Sequence, residues 1–458
     1  MAAIWWIRRD LRLMDNPALR SALEAKTVIP VFILDPHLLS RPAPGRQSFL
    51  FNGLRALDAD LRQRGSYLVV RRGEPLEELR SLLAETGAKA IFAEEDYTPY
   101  SRQRDIKIAR KLPLHLVMGQ VVQHPEFIKK ADGDPYTVYT PYSKKWKSML
   151  PEHMDITPAP NHIPTPASIH IEAIPDALAS DLFPAGEAEG QKRLEKFVSE
   201  KIFEYARNRN RMDLEGTSAL SPYIRFGMIG LRQAVHNAGQ AIESAEDAES
   251  RKGAEIWLNE LIWREFYIQI LYHFPYVSKR AFNPALINIR WKNDDSEFER
   301  WKEGKTGYPI VDAAMRQLRE TGWMHNRARM IVASFSVKDL LVNWQWGERW
   351  FMENLLDGDP AANNGGWQWT AGTGTDAAPY FRIFNPVLQS KKFDPHGEYI
   401  RAWVPELAHL PTDIIHAPWE KKVDISNYPQ PIIDHHVARE RTLSTYKISK
   451  DIFDRSSK

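Results

Sequence analysis

Four stretches of the chain carry side chains whose types and spacing could do chemistry. From Asp357 to Pro386 it reads DGDPAANNGGWQWTAGTGTDAAPYFRIFNP, with aspartates at 357 and 359, asparagines at 363 and 364, and tryptophans at 367 and 369. A run this polar and aromatic, with few aliphatic side chains, makes poor core and poor surface. It suits wrapping something flat, polar and redox-active. In EIWLNELIWREFYIQILYHF, residues Trp257, Glu260 and Arg264 stand at i, i+3 and i+7, one face of a helix, with Trp263 next to that face. Its neighbours are bulky and apolar, so the face should line a cavity. A carboxyl there must be paired or hydrogen-bonded, and can serve as donor or acid. In GWMHNRARMIVASFSVKDLL, residues Trp323, Asn326, Arg327 and Met330 stand at i, i+3, i+4 and i+7. Arg329, elsewhere on the same helix, could pair with Asp357 and keep a positive charge near a redox group. The fourth stretch, TSALSPYIRFG, puts the hydroxyls of Thr217 and Ser218 before a helix start, where hydroxyls and backbone amides bind phosphate.

Other motifs fail on context. Gly372, Gly374 and Ala377 fit the G-x-G-x-x-A dinucleotide fingerprint, but they follow WQWTA in a helical region instead of a strand, so no nicotinamide site is expected. The chain has no G-x-x-x-x-G-K-[ST] loop and no H-E-x-x-H, and its histidines show no metal spacing, so no metal is expected. Cysteine is absent, which removes disulfides, thiolate catalysis and Cys-ligated clusters, and fits a reducing cytoplasm.

Regular elements must position these side chains. At 458 residues, 43% hydrophobic and 26% charged, the chain is long enough for two or three cored domains of ordinary globular composition. No apolar run approaches the roughly 20 residues that span a bilayer, and MAAIWWIRRD reads as a first strand, not a secretory signal. A net charge of +2 means that any nucleic-acid binding must use a local basic face. Short β-branched or aromatic runs at Ala3–Ile7, Val28–Leu34, Tyr67–Arg71, Ala90–Ala93 and Leu114–Val117 alternate with helical stretches such as Glu74–Thr86. That alternation predicts a doubly wound parallel sheet over residues 1–125. Six prolines between Pro151 and Pro175 predict a connector, taken as 126–189. Residues 190–458 read as a large all-helical domain, with helix periodicity over Glu255–Tyr272 and Ile310–Trp350. Ten of the fifteen tryptophans lie between Trp257 and Trp369, so the aromatic wealth belongs to one region.

The stretches occur in order, behind an α/β region opened by WWIRRDLRLMDNPAL, and include EGKTGYPIVDAAMRQL from Glu303. In that combination the chain resembles the photolyase/cryptochrome family over nearly its whole length, closest to class I cyclobutane pyrimidine dimer photolyases. The resemblance implies FAD in the helical domain, with a pocket of Tyr205, Thr217, Ser218, Leu220, Ser221, Trp257, Glu260, Arg264, Asn326, Arg329, Asp357, Asp359 and Asn363. Asn363 takes the position facing the flavin N5, where plant cryptochromes place Asp and animal ones Cys, so Asn favours repair over photoreception.

The resemblance further implies that Glu260 hydrogen-bonds the pyrimidine dimer while Trp263 packs against it and Met330 completes the wall. Asn326 stands at the catalytic site, and Arg327, Gln389 and Lys392 face DNA. Members that repair (6–4) photoproducts carry a histidine where this chain has Asn326-Arg327. Trp367, Trp344 and Trp291 match the family's electron chain from flavin to surface. The implied reaction is light-driven and redox-neutral: excited reduced FAD lends an electron that splits the cyclobutane ring and returns. The lesion is first flipped out of the duplex. A monomer acting on UV-damaged DNA is expected. A second, antenna chromophore is expected at the strand ends of the sheet. The segment DYTPYSRQRD from Asp96 favours a deazaflavin or flavin type over folate.

Overall fold

Five short runs rich in β-branched and aromatic residues form one parallel sheet in the computed structural model, which describes residues 1–422 and 425–456. They are β1 (Ala2–Ile7), β2 (Thr27–Leu34), β3 (Val69–Arg72), β4 (Ala90–Glu94) and β5 (Leu114–Val117), in the order β3-β2-β1-β4-β5. Ile4 stands opposite Ile29 on one side and Ile91 on the other. β1 and β2 are buried along nearly their whole length, as expected where both faces of a parallel sheet are covered. The crossover helix α1 (Pro75–Thr86) has the expected punctuation. The Glu74 side chain accepts from the Glu77 amide, Pro75 opens the first turn, and Gly87 closes it at φ 65°. Strand order reverses between β1 and β4, the switch point of this architecture.

By internal contacts the chain divides into two compact units. The first contains residues 1–206, 218–273 and 356–358; the second contains 207–217, 274–355 and 359–458. Among the first unit's further helices are α2 (Tyr139–Ser148) and α3 (Ala248–His273). Residues 149–186 form neither helix nor strand. This proline-rich stretch is nevertheless tied down, with Val28 donating to the Pro164 carbonyl at 2.8 Å and Glu172 donating to the Val70 carbonyl at 2.9 Å.

The second unit is built from helices; among its described residues no strand occurs. The periodic stretch Ile310–Trp350 is divided into α4 (Pro309–Thr321), α5 (Asn326–Ser334), a π-helical turn (Phe335–Asp339) and α6 (Trp344–Asn354). Each break has a local cause: Gly322 ends α4 at φ 67°, and His325 and Asn343 cap the next two helices. Helices α7 (Pro360–Ala371) and α8 (His435–Ser456) follow. Trp301, Met315, Val332, Phe335 and Trp367 belong to the unit's main core. Among the described residues no helix is long and apolar enough to cross a membrane.

Candidate functional site

Residues singled out in the sequence fall in both units, and each unit presents its own arrangement. In the first, α3 carries Trp257, Glu260, Trp263 and Arg264 on successive turns. Gly253 lets this helix start close to the chain at Ile202–Phe203, since a Cβ there would press on both carbonyl oxygens. That approach brings Trp257 near Tyr205: the Phe197 ring lies 5.0 Å from Trp257 and 5.7 Å, edge-on, from Tyr205. Leu220 is buried, and Ser221 begins a five-residue helix, Ser221–Arg225, with Ser218 ahead of it; Thr217 belongs to the second unit. Arg225 donates to the Gly358 carbonyl at 2.8 Å, next to the buried Asp357.

Further along α3, Trp263 stacks face to face on Tyr139 of α2, with ring centroids 3.7 Å apart and planes 3° from parallel. Behind it, Glu265 accepts from the Trp146 indole at 2.6 Å, from the Gln123 amide at 3.2 Å and from the Val122 amide. Burial pushes the Glu265 carboxyl up to about 7, against the pull of these donors. Glu260 and Trp263 both keep part of their surface exposed.

The second unit holds its site residues with hydrogen bonds. Asp359 caps α7, its carboxylate accepting from the Ala361 and Ala362 amides at 3.0 and 3.1 Å. One turn on, the Asn363 side-chain amide donates to the Glu348 carbonyl at 2.9 Å. Its N–H side is thereby engaged, and its oxygen is the end left to accept. Asn364 donates to the Glu348 carboxyl at 2.9 Å and to the Val277 carbonyl at 3.0 Å. Burial pushes Glu348 up to about 7. In α5, Asn326 is the exposed first residue and Met330 is half-buried. Trp323 lies ahead of the helix, not on it, because His325 intervenes as the cap, its ring nitrogen accepting from the Arg327 amide at 3.0 Å. Burial, reinforced by Arg327 and Arg329, lowers His325 to about 4, so it is a neutral imidazole. Arg329 donates to the Met324 carbonyl at 2.8 Å.

The Arg327 guanidinium is held by the Asn210 side-chain oxygen at 2.7 and 3.1 Å and lies 4.4 Å from the Phe393 ring centre. Lys392 approaches the same ring at 5.4 Å, so two of the residues assigned to DNA share one phenyl ring. Gln389 lies on the same helix, Pro386–Phe393. Trp367 and Trp344 are buried in the unit's core and Trp291 packs against it. A Cβ on Gly347 would collide with the Trp367 ring, so this glycine allows α6 and α7 to meet there.

The strand ends at the switch point are filled by the first unit's own side chains. Arg8 pairs with Asp105 at 2.5 Å, Arg12 with Glu94 at 2.7 Å, and Arg8 and Arg104 each lie 4.7 Å from the Trp6 ring. The cavity among Arg9, Arg12, Glu94, Gln120 and Arg264 measures about 10 Å³, roughly one water. An antenna chromophore does not fit that space.

Several contributors escaped the sequence reading: Tyr139, Phe197, Asn210, His325, Glu348 and Phe393. One signal was present, since Tyr139, Tyr142 and Trp146 repeat the i, i+3, i+7 spacing used to find the other faces.

Comparison with known proteins gives two family matches. Residues 3–165 match the DNA photolyase family, and residues 257–448 match the FAD binding domain of DNA photolyase. The chain is 39% identical to a deoxyribodipyrimidine photo-lyase of Synechococcus, over 97% of this chain and 96% of that one. A bacterial class III photolyase structure from Agrobacterium tumefaciens superposes with a TM-score of 0.92 at 36% identity, covering 98% of each chain. An archaeal photolyase from Sulfolobus tokodaii, with two FAD molecules, superposes at 0.82 with 34% identity, covering 98% of this chain and 100% of that one.

Proposed function

The chain belongs to the DNA photolyase family, as an enzyme of the deoxyribodipyrimidine photo-lyase kind, and on that premise we propose that it repairs cyclobutane pyrimidine dimers in UV-damaged DNA. The observation that carries this reading is the pairing on α3 of a flat, half-exposed indole with a carboxyl one turn away. Trp263 offers an apolar face for flipped-out pyrimidine rings, and Glu260 a hydrogen-bonding group for their polar edges.

FAD supplies the light-driven electron when bound. Asn363 is suited to it, because its engaged N–H side leaves an oxygen to accept from a flavin N–H. Tyr205, Thr217, Ser218, Leu220, Ser221, Trp257, Glu260, Arg264, Asn326, Arg329, Asp357 and Asp359 are the other residues we assign to it. Trp367, Trp344 and Trp291 are assigned to electron supply, being indoles gathered around a single core. Arg327, Gln389 and Lys392 are assigned to the DNA backbone, with Asn326 and Met330 beside the lesion. We expect the protein to act as a monomer.

Blue light on the flavin-loaded, reduced protein with an oligonucleotide containing one thymine dimer should restore intact thymines. A (6–4) photoproduct should persist. Glu260→Ala should keep its flavin and lower repair per absorbed photon. Absence of light-dependent repair in the wild type would leave a cryptochrome-type photoreceptor as the better reading. The motif resemblance to class I and the structural likeness to a class III enzyme lead to this same experiment.

For the second chromophore, the flavin or deazaflavin reading is supported by the Asp96–Asp105 segment and by the relative with two FAD molecules. The filled strand ends give it no support. An absorption spectrum before and after denaturation decides it: one flavin per chain and nothing else would remove the antenna.

A further inference from the structure

We propose that Tyr139 is a positioning residue for Trp263, holding the indole with one face covered so that the other is ready for the lesion. The inference rests on the reading of Trp263 as the wall against the dimer. It concerns a residue in a stretch that the sequence offers only as a connector.

At 3.7 Å and 3° the two rings are in full van der Waals contact, so Tyr139 closes one of the two faces a pyrimidine could meet. Phe266 stands edge-on to both, 5.5 Å from Trp263 at 85° and 5.8 Å from Tyr139 at 84°, and Tyr267 lies 5.6 Å from the indole. The Tyr139 hydroxyl donates to the Asn259 carbonyl at 2.9 Å. Asn259 lies four residues before Trp263, so its carbonyl belongs to the helical turn that carries the indole. Ring and hydroxyl thus hold the same turn of α3 at two points.

The support for Tyr139 is itself fixed. Tyr142 packs 5.2 Å from Phe266, the Trp146 indole donates to Glu265, and Gln269 donates to the Tyr136 carbonyl at 2.6 Å. α2 therefore cannot slide along α3 without breaking two contacts of its own and straining a third, at Tyr136 just before it. Turning the indole to another rotamer would forfeit the stack. The side chain is thereby ordered before substrate arrives, and a wall ordered in advance loses less freedom on binding. A single stacked aromatic pair is worth about three- to tenfold in an equilibrium, which sets the size of the expected effect.

The test compares the full-length, FAD-loaded protein with Tyr139→Leu, Tyr139→Met, Tyr139→Phe and Trp263→Ala. The measured quantity is the ratio of affinities, in the dark, for an oligonucleotide with one thymine dimer and for its undamaged counterpart. Tyr139→Leu and Tyr139→Met should lower that ratio about three- to tenfold, with flavin content and affinity for undamaged DNA unchanged. Tyr139→Phe, which keeps the ring, should restore it to within about twofold. A wild-type ratio in the Leu and Met variants, alongside a collapsed ratio in Trp263→Ala, would overturn the role of Tyr139 and leave Trp263 standing. Equal loss of affinity for both DNAs, or loss of flavin from both variants, would make Tyr139 a purely structural residue and overturn the inference. An unchanged ratio in Trp263→Ala would reject the lesion wall and the inference together.

Discussion

The two units hold their candidate site residues by opposite means. In the first, rings hold rings: Tyr139 stacks on Trp263, and Phe197 stands between Trp257 and Tyr205. In the second, hydrogen bonds hold amides and guanidinium: Glu348 holds Asn363 and Asn364, Asp359 caps α7, His325 caps α5, and Asn210 holds Arg327. Ring contacts scale with area and are weakly directional, so they suit a wall that meets flat apolar surfaces. Hydrogen bonds fix single atoms within tenths of an ångström, so they suit presenting a donor or acceptor at a set point. Both units back their site with a carboxyl raised to about 7 by burial, but Glu265 accepts three hydrogen bonds at its carboxylate where Glu348 accepts one.

The largest test of this contrast removes the more deeply engaged carboxyl. Glu265→Ala leaves two backbone amides and an indole N–H without their acceptor, and should cost about 3–5 kcal/mol in urea unfolding. A loss under about 1 kcal/mol would show that the rings alone hold α3.

Glu348 should show itself through pH. Its folded pKa is above the unfolded value of 4.5, so the folded protein keeps a proton that the unfolded chain releases. Its contribution to stability therefore falls as pH rises from about 4.5 to about 7 and is constant outside that window. Glu348→Gln should abolish that part of the slope, up to about 3 kcal/mol between pH 5 and pH 8. Unfolding midpoints of both proteins at those two pH values would reveal it; parallel curves would count against the buried carboxyl.

Asp359→Ala should lose about 1 kcal/mol with the α7 cap, and Asp359→Asn most of that less, since asparagine caps about as well. Thermal melts compare the two directly. The smallest effect belongs to Asn210→Ala. The guanidinium it releases keeps its charge, so DNA binding should weaken about threefold or less with an unchanged salt slope. Arg327→Ala should instead lower the slope of log K against log salt by roughly one. A changed slope in Asn210→Ala would mean that the amide contacts DNA itself.

The α/β part was legible nearly residue by residue, because Ile4, Val31 and Val69 sit in runs whose period and flanking turns admit little else. Helix α3 and the face of Trp257, Glu260 and Arg264 were equally plain from spacing. The second helix face was read one element too early. Trp323 has the right spacing for the helix, but His325 competes for the Arg327 amide and starts α5 after it. Tyr139 was hidden by its surroundings, since a stretch dense in proline nearby outweighed three aromatics at helical spacing.

What the sequence determined alone was everything set by local period and composition: the parallel sheet, the helical remainder, the absence of thiol chemistry, and the concentration of indoles between Trp257 and Trp369. What only the tertiary structure decided was which side chain stands behind each of them. Glu265 meets Trp146 across 119 positions of chain, and Arg327 meets Asn210 across 117. Such contacts leave no periodic trace, because each needs one partner at one point and not a repeating face. Their cost or gain is fixed by burial, which exists only once the chain has closed around them.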